Sequence, residues 1–466
     1  MLPAISITPV TALIALLVLF LISGIAAMFL RKAKAQLAIS SIILLAIFSV
    51  SSYIFIHGIN VTILQVFKVY PFSTFFISVF SVGLLLVNML SYRYSKDFPS
   101  FSMLLAFTAS GAFIVALSFS LIAIIFGIEI MALSTAFMII INGKQYVEPA
   151  VKLFVLAAIA VAVMGFAMAL IFQYDPQLSI GQIPAASVGT YFVLLSLLLF
   201  AGALAMEGAV FPFNLWIPDV YQGAPGNVTA LLSGINKKVA FVAMFEIFFV
   251  LFINNLQLLS TVFLALSVVT MFFGNIVALV QENVKRLFAY SSISQAGYIL
   301  IGFAAASLYG IEASAFQILA HMLMIIGAFA IITWLEQKNI KTIDDYAALG
   351  RRSPLAALSL TLIMLSLIGV PPLMGFVGKF LLFSSAISSG LLALAVLAII
   401  NSFISVYYYA KVILSMYSRK EAKPIPMGWE VKAVLLIVVA AIILFGIYPQ
   451  PIITAATYAG STLLGY

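Results

Sequence analysis

Gly369-Val370-Pro371-Pro372-Leu373-Met374-Gly375-Phe376-Val377-Gly378-Lys379-Phe380 interrupts an apolar run that extends over residues 354–386. The run is long enough to cross a bilayer, for which roughly 20 apolar residues suffice. Its middle cannot be regular helix, because proline lacks the amide hydrogen and its ring clashes with the preceding turn. At membrane depth the freed backbone groups need protein or water partners, so a broken span usually lines a cavity. Lys379 follows the break directly, and Phe380, Leu381 and Leu382 then continue the apolar run. The stretch predicts a membrane helix opened at its middle, with an ionisable side chain at the opening.

The rest of the chain has the same character. Of its 466 residues, 65% are hydrophobic and 8% charged, where soluble domains hold about 25% charged residues. An all-α integral membrane protein is expected, with about fourteen segments: 5–30, 36–57, 72–91, 98–117, 119–141, 150–173, 189–210, 227–254, 258–281, 287–307, 311–335, 354–386, 389–416 and 430–449. The first has no basic residue before it and Arg31, Lys32 and Lys34 after it. That is the reverse of a secretory signal, so it reads as a retained helix.

Charge in the loops orients the set. Alternate loops carry Arg31/Lys32/Lys34, Arg93/Lys96, Lys144, Lys285/Arg286, Lys338/Lys341/Arg351/Arg352 and Arg419/Lys420/Lys423/Lys432, whereas the other loops hold only Lys68. This is the positive-inside pattern, and an even number of spans puts both termini outside, in a multi-pass protein of the cell membrane. The net charge of +8 is thus a topology signal, and no nucleic-acid partner is expected. With no cysteine and only His57 and His321, thiolate iron–sulfur and Cys-zinc sites are excluded. No cofactor or metal is expected, and any redox chemistry belongs to partner chains.

A second break lies in the seventh segment, at Glu207-Gly208-Ala209-Val210-Phe211-Pro212-Phe213-Asn214. The two breaks are five segments apart. That spacing suggests two five-helix units, 98–254 and 258–416, of the inverted-repeat kind, preceded by helices in 1–97 and followed by a C-terminal helix in 417–466.

Ionisable residues inside the spans mark the candidate site, since each costs about 2.5–3.5 kcal/mol at the bilayer centre and such residues often line ion or proton routes. Glu129 is mid-segment among apolar neighbours, Glu207 precedes the seventh-segment break, Lys238 lies about ten residues into its segment, and Lys379 follows the Pro-Pro break. Only one of the adjacent Lys237 and Lys238 can face a given partner, because neighbours are about 100° apart on a helix. Glu246, two turns on, reads either as a carrier or as a structural counter-charge. His321 reads equally as a proton relay or a hydrogen-bonded core residue, and Lys152 and Lys411 as carriers or as snorkelling side chains near helix ends.

At these residues the chain resembles the antiporter-like proton-channel subunits of respiratory complex I, which are related to multisubunit sodium/proton antiporters and membrane-bound hydrogenases. The resemblance rests on Phe126-Gly-Ile-Glu129, Phe211-Pro-Phe-Asn-Leu-Trp-Ile-Pro-Asp-Val-Tyr-Gln-Gly-Ala-Pro225, Lys285-Arg-Leu-Phe-Ala-Tyr-Ser-Ser-Ile-Ser-Gln-Ala-Gly-Tyr298, Asp345-Tyr-Ala-Ala-Leu-Gly-Arg-Arg-Ser-Pro354 and the opening stretch, in that order. The second and fourth strings point to the N-type subunit. L-type relatives carry a long C-terminal lateral helix, which the chain to Tyr466 does not show.

The resemblance implies fourteen helices with inverted repeats of helices four to eight and nine to thirteen. It matches Glu129 to the family's fifth-helix glutamate, Lys152 to a sixth-helix lysine, Lys238 to the central eighth-helix lysine and Lys379 to the twelfth-helix lysine, with His321 near the same axis. Glu207 departs from it, since the family usually has lysine there, paired with the fifth-helix glutamate. Two acids would meet unless another lysine moves in. The implied role is proton (alternatively sodium) translocation among other membrane subunits, in lipid, driven by electron transfer in partners. A gradient-driven antiporter subunit and a scaffold with a defunct ion path are the rival readings.

Overall fold

In this computed structural model, residues 3–174, 176, 178, 180, 190–419 and 423–465 are described; Lys420, counted above among the basic loop residues, lies outside them. Compactness divides the chain into two units. The first holds Met1–Gly208, Ile235–Leu259 and Thr457–Tyr466, and the second Ala209–Gly234 and Ser260–Ala456.

The helices in chain order begin with α1 (Pro3–Leu30) and α2 (Ala33–Ile56). A hairpin of β1 (Val61–Ile63) and β2 (Phe67–Val69) follows, pairing Val61 with Val69 and Ile63 with Phe67. Next come α3 (Pro71–Tyr94), α4 (Phe98–Leu117), α5 (Leu121–Ile140), α6 (Val147–Ile171) and α7 (Tyr191–Gly208). Two short helices, α8 (Trp216–Gly223) and α9 (Gly226–Leu231), precede α10 (Lys237–Glu246), and then α11 (Leu256–Ala278), α12 (Val284–Ala305) and α13 (Leu308–Glu336). The chain closes with α14 (Leu349–Arg352), α15 (Pro354–Ile368), α16 (Met374–Ser388), α17 (Leu392–Met416), α18 (Trp429–Ile447) and α19 (Gln450–Leu464).

Among the described residues, twelve helices are long and apolar enough to cross a membrane, and the chain is an all-α, multi-pass membrane protein. Every segment expected from the sequence contains helix. Two are composite. The twelfth is split into α15 and α16, each too short to span alone. The eighth is α9 and α10 joined by a π turn at Leu232–Asn236, with a second π turn at Ile247–Leu251. Helix α19 was not anticipated: Gln450, Thr454, Thr457, Ser461 and Thr462 dilute its hydrophobicity below that of a span.

Within the first unit, α1 and α6 present mostly apolar side chains outward, as lipid-facing helices do, while α3 and α4 are largely buried. Within the second, α12 and α13 are buried along their whole lengths. Tertiary packing of these interior helices buries polar side chains such as Ser294, Gln295, Gln317 and His321.

Candidate ion path

The break in the twelfth segment is built as its sequence demands. Gly369 ends α15 in the left-handed region (φ 98°), a conformation without penalty for glycine, and its N–H bonds to Leu365 and Ser366 carbonyls. Gly375 opens α16 so close to the Ser366 carbonyl that a Cβ would collide with it. The carbonyl of Ile368, freed by the break, accepts from Lys379 Nζ at 2.9 Å and from Ser402 Oγ at 2.9 Å. Lys379 also donates to Ser402 Oγ at 2.8 Å, and its ammonium lies 4.5 Å from the centre of the Tyr298 ring. Position fixes this lysine: it caps the orphan carbonyl that the prolines create.

From Lys379 a buried polar ladder continues between α11, α12 and α17. Asn401 Nδ2 donates to the Tyr298 hydroxyl at 3.0 Å, Asn275 Nδ2 to the Asn401 carbonyl at 2.9 Å, and the Tyr408 hydroxyl to Asn275 Oδ1 at 2.9 Å. The Tyr408 ring centre lies 4.4 Å from that of Tyr409, the two rings tilted by 50°, and the Tyr409 hydroxyl is hydrogen-bonded to Ser291. From Tyr298 back to Ser291 is about 10 Å along α12, towards its Lys285-Arg286 end. Nothing in the sequence singled out these tyrosines and asparagines, because uncharged polar residues are common in apolar helices. Beside them Gln317 donates to Gln295, which donates to the Leu367 carbonyl. His321, one turn beyond Gln317 in α13, is fully buried.

In the first unit, Lys237 and Lys238 are 2% and 0% exposed and begin α10 directly after the π turn. Asn236 at that junction donates to Thr135 of α5 at 2.8 Å. A π turn inserts an extra residue and is frequent at functional sites; hydrophobic pattern alone does not reveal it. Glu246, 2% exposed, accepts from the Tyr70 hydroxyl at 2.6 Å.

Glu129 and Glu207 are both half-buried and within electrostatic reach of each other. Neither has an ion-pair partner among the described residues, and Glu129 Oε2 is buried without a hydrogen bond there. No described lysine has moved in to neutralise them. Lys152 pairs with Glu148 at 2.8 Å on the surface of α6, and Lys411 is exposed near the end of α17. Glu312, not weighed from sequence, is 9% exposed near the start of α13.

The quoted motifs outside the path form a frame in the second unit. Lys285 Nζ donates to Glu336 at 2.6 Å and to the Ala224 carbonyl that follows α8 at 2.7 Å, while Arg286 pairs with Asp219 of α8 at 2.9 Å. Asp345 accepts from the backbone amides of Lys341 (3.0 Å) and Thr342 (2.8 Å), and these bonds hold its carboxyl below the usual aspartate range. Arg352 donates to the Asp345 carbonyl at 3.1 Å.

A family model described as "NADH:quinone oxidoreductase/Mrp antiporter, TM" matches residues 118–405, which include both breaks and the buried Lys237, Lys238, Lys285 and Lys379. The chain belongs to that family. It is 35% identical over 418 residues to "F(420)H(2) dehydrogenase subunit N" of Methanosarcina mazei, covering 84% of each chain. It is 34% identical over 457 residues to NADH-quinone oxidoreductase subunit N of Desulfitobacterium hafniense, covering 90% of this chain and 91% of that one. In respiratory complex I from Thermus thermophilus with bound aureothin, one chain superposes with a TM-score of 0.82 at 26% identity, covering 95% of this chain and 98% of that chain. The expected N-type, complex I-related membership holds.

Proposed function

We propose that the protein is the proton-translocating N-type membrane subunit of a complex I-like quinone oxidoreductase, which couples electron transfer in partner subunits to proton pumping. The observation that carries this reading is Lys379, a buried ammonium seated on the freed carbonyl of a broken membrane helix and continued by a polar ladder towards one helix end. A lysine there exchanges its proton with water in the break. Buried oxygens on Gln317 and Asn401 that lack a protein hydrogen bond are acceptors such water would use. Lys238 is the central carrier, Lys237 and His321 are further relay residues, and residues 98–254 and 258–416 form two inverted five-helix repeats. Glu129 and Glu207 act as one coupled acidic site: like charges so close cannot easily both ionise, so the pair shares a proton. Lys152, paired with Glu148, and the exposed Lys411 are peripheral proton carriers in this reading. The basic loops face the cytoplasm and both termini lie outside the cell membrane.

Lys238→Ala tests the assignment. Proton pumping by the assembled complex is expected to be lost from this subunit, and retained pumping at normal complex abundance would refute it. The second reading, a subunit of a gradient-driven sodium/proton antiporter, is kept because the family's description spans both classes. Chains co-purified in mild detergent separate the two: quinone-reducing and iron–sulfur subunits support the first, small antiporter subunits the second.

A further inference from the structure

We propose that Glu246, Tyr70 and Lys68 form a proton-release site on the side of the membrane opposite the basic loops, a role that rests on Lys238 being a proton carrier. The hairpin bearing Lys68 follows the far end of α2, about 36 Å of helix from the Arg31-Lys32 loop. Lys68 is the only Lys or Arg that the sequence places in the loops of that side.

The acid is out of place for a structural residue. Val239 to Phe245, between it and Lys238, are all apolar, and Glu246 is 2% exposed with no ion-pair partner among the described residues. The packing that holds α10 to the start of α3 does not need it: Phe245 makes edge-to-face and tilted contacts with Phe72 and Phe76, at 5.9 and 6.2 Å between ring centres. A leucine at position 246 would serve that packing without the cost of burying a carboxyl.

Its position suits a release step. Glu246 lies about 12 Å beyond Lys238 along the helix and about 8 Å short of Leu251, where the second π turn ends. Its hydrogen bond leads outward, from the Tyr70 hydroxyl at 2.6 Å. The Tyr70 ring in turn carries the Lys68 ammonium 4.4 Å from its centre, and the Lys68 charge reaches Glu246. Half-buried Lys68 borders the outer rim of the site, while Tyr70 itself is 3% exposed.

The transfer balances. A proton leaves the Lys238 ammonium through water and converts the Glu246 carboxylate to the acid. The acid then passes its proton to the Tyr70 oxygen as the phenol's own proton leaves to water at the rim, which restores carboxylate and phenol. The Lys68 ammonium beside Tyr70 favours the carboxylate form, which speeds discharge of the loaded acid. Glu246 thus carries the proton, Tyr70 relays it and Lys68 speeds its release.

Glu246→Gln keeps an acceptor for Tyr70 but cannot carry the proton. In the intact complex reconstituted into proteoliposomes, it should remove the same share of pumping as Lys238→Ala at unchanged abundance, and Tyr70→Phe should do likewise. Lys68→Gln should slow pumping roughly three- to tenfold, the effect of one unit charge at a partly screened separation. If Lys238→Ala abolishes this share while Glu246→Gln pumps normally, the release site is wrong and the carrier stands. If Lys238→Ala pumps normally, the carrier reading itself fails. Should Glu246→Gln not assemble, Lys68→Gln decides, since an assembled complex with unaltered flux overturns the proposal.

Discussion

Lys379→Met separates the two jobs this lysine holds. The substitution keeps most of the side chain's volume and removes its charge. Two hydrogen bonds disappear, to the Ile368 carbonyl and to Ser402. Bonds involving a charged group contribute about 1.5–3 kcal/mol each, so the loss is about 3–6 kcal/mol. Against it stands the relief of an ammonium held at membrane depth, about 2.5–3.5 kcal/mol. The freed carbonyl is not orphaned, because Ser402 still donates to it. The net cost is therefore about 0–3 kcal/mol, small enough for the subunit to fold and enter its complex. Native electrophoresis should show the complex at near-normal abundance, while proteoliposome flux through this subunit disappears. Loss of the complex, as from destabilisation well above 3 kcal/mol, would make Lys379 chiefly a structural cap. Normal flux in an intact complex would remove it from the path.

Glu207→Lys sets an acid–base pair beside Glu129, and flux is expected to persist with altered pH dependence, whereas Glu207→Gln should lower it. Unchanged flux in Glu207→Gln would show that the acidic pair is not on the path. Glu336→Gln leaves the largely buried Lys285 ammonium without its counter-charge, and should destabilise the purified complex by about 2–3 kcal/mol, less than a fully buried pair because Glu336 is partly exposed; a thermal-inactivation series reads it. The lowered pKa of Asp345, set by the amides of Thr342 and Lys341, stabilises the loop at all pH values above the ordinary aspartate range, and that stabilisation is lost as pH falls through the lowered value. Amide protection at Lys341 and Thr342 should therefore collapse only in that acidic window, and Asp345→Asn should show no such transition.

The membrane class, the order of the spans and both breaks are legible in sequence, because prolines and stranded charges in apolar runs are local signals. The path is legible only at its charged points. Glu129 reads as surrounded by apolar neighbours, yet Phe126 one turn away is 63% exposed, and only packing tells which side of such a helix faces outward. Tyr70 and Glu246 are 176 residues apart, so no window contains their contact. The π turn before Lys237 is equally hidden, since one inserted residue barely disturbs an unbroken hydrophobic run. Motif strings pointed to the family, but their physical purpose emerged from Lys285, Arg286 and Asp345 meeting α8, α13 and the adjoining loop.

Consecutive residues Lys285 and Arg286 pull in different directions, one to Glu336 and the Ala224 carbonyl, the other to Asp219. Sliding α12 by a single turn would break the Asp219 and Ala224 bonds if it moved past α8, and the Glu336 bond if it moved past α13, which would strand a buried cation. The dipeptide is thus a register lock at the mouth of the second unit. With that end pinned, a proton path through Lys379, as proposed above, would work by turning side chains and reordering water, a small-amplitude device and not the travel of a rigid rod.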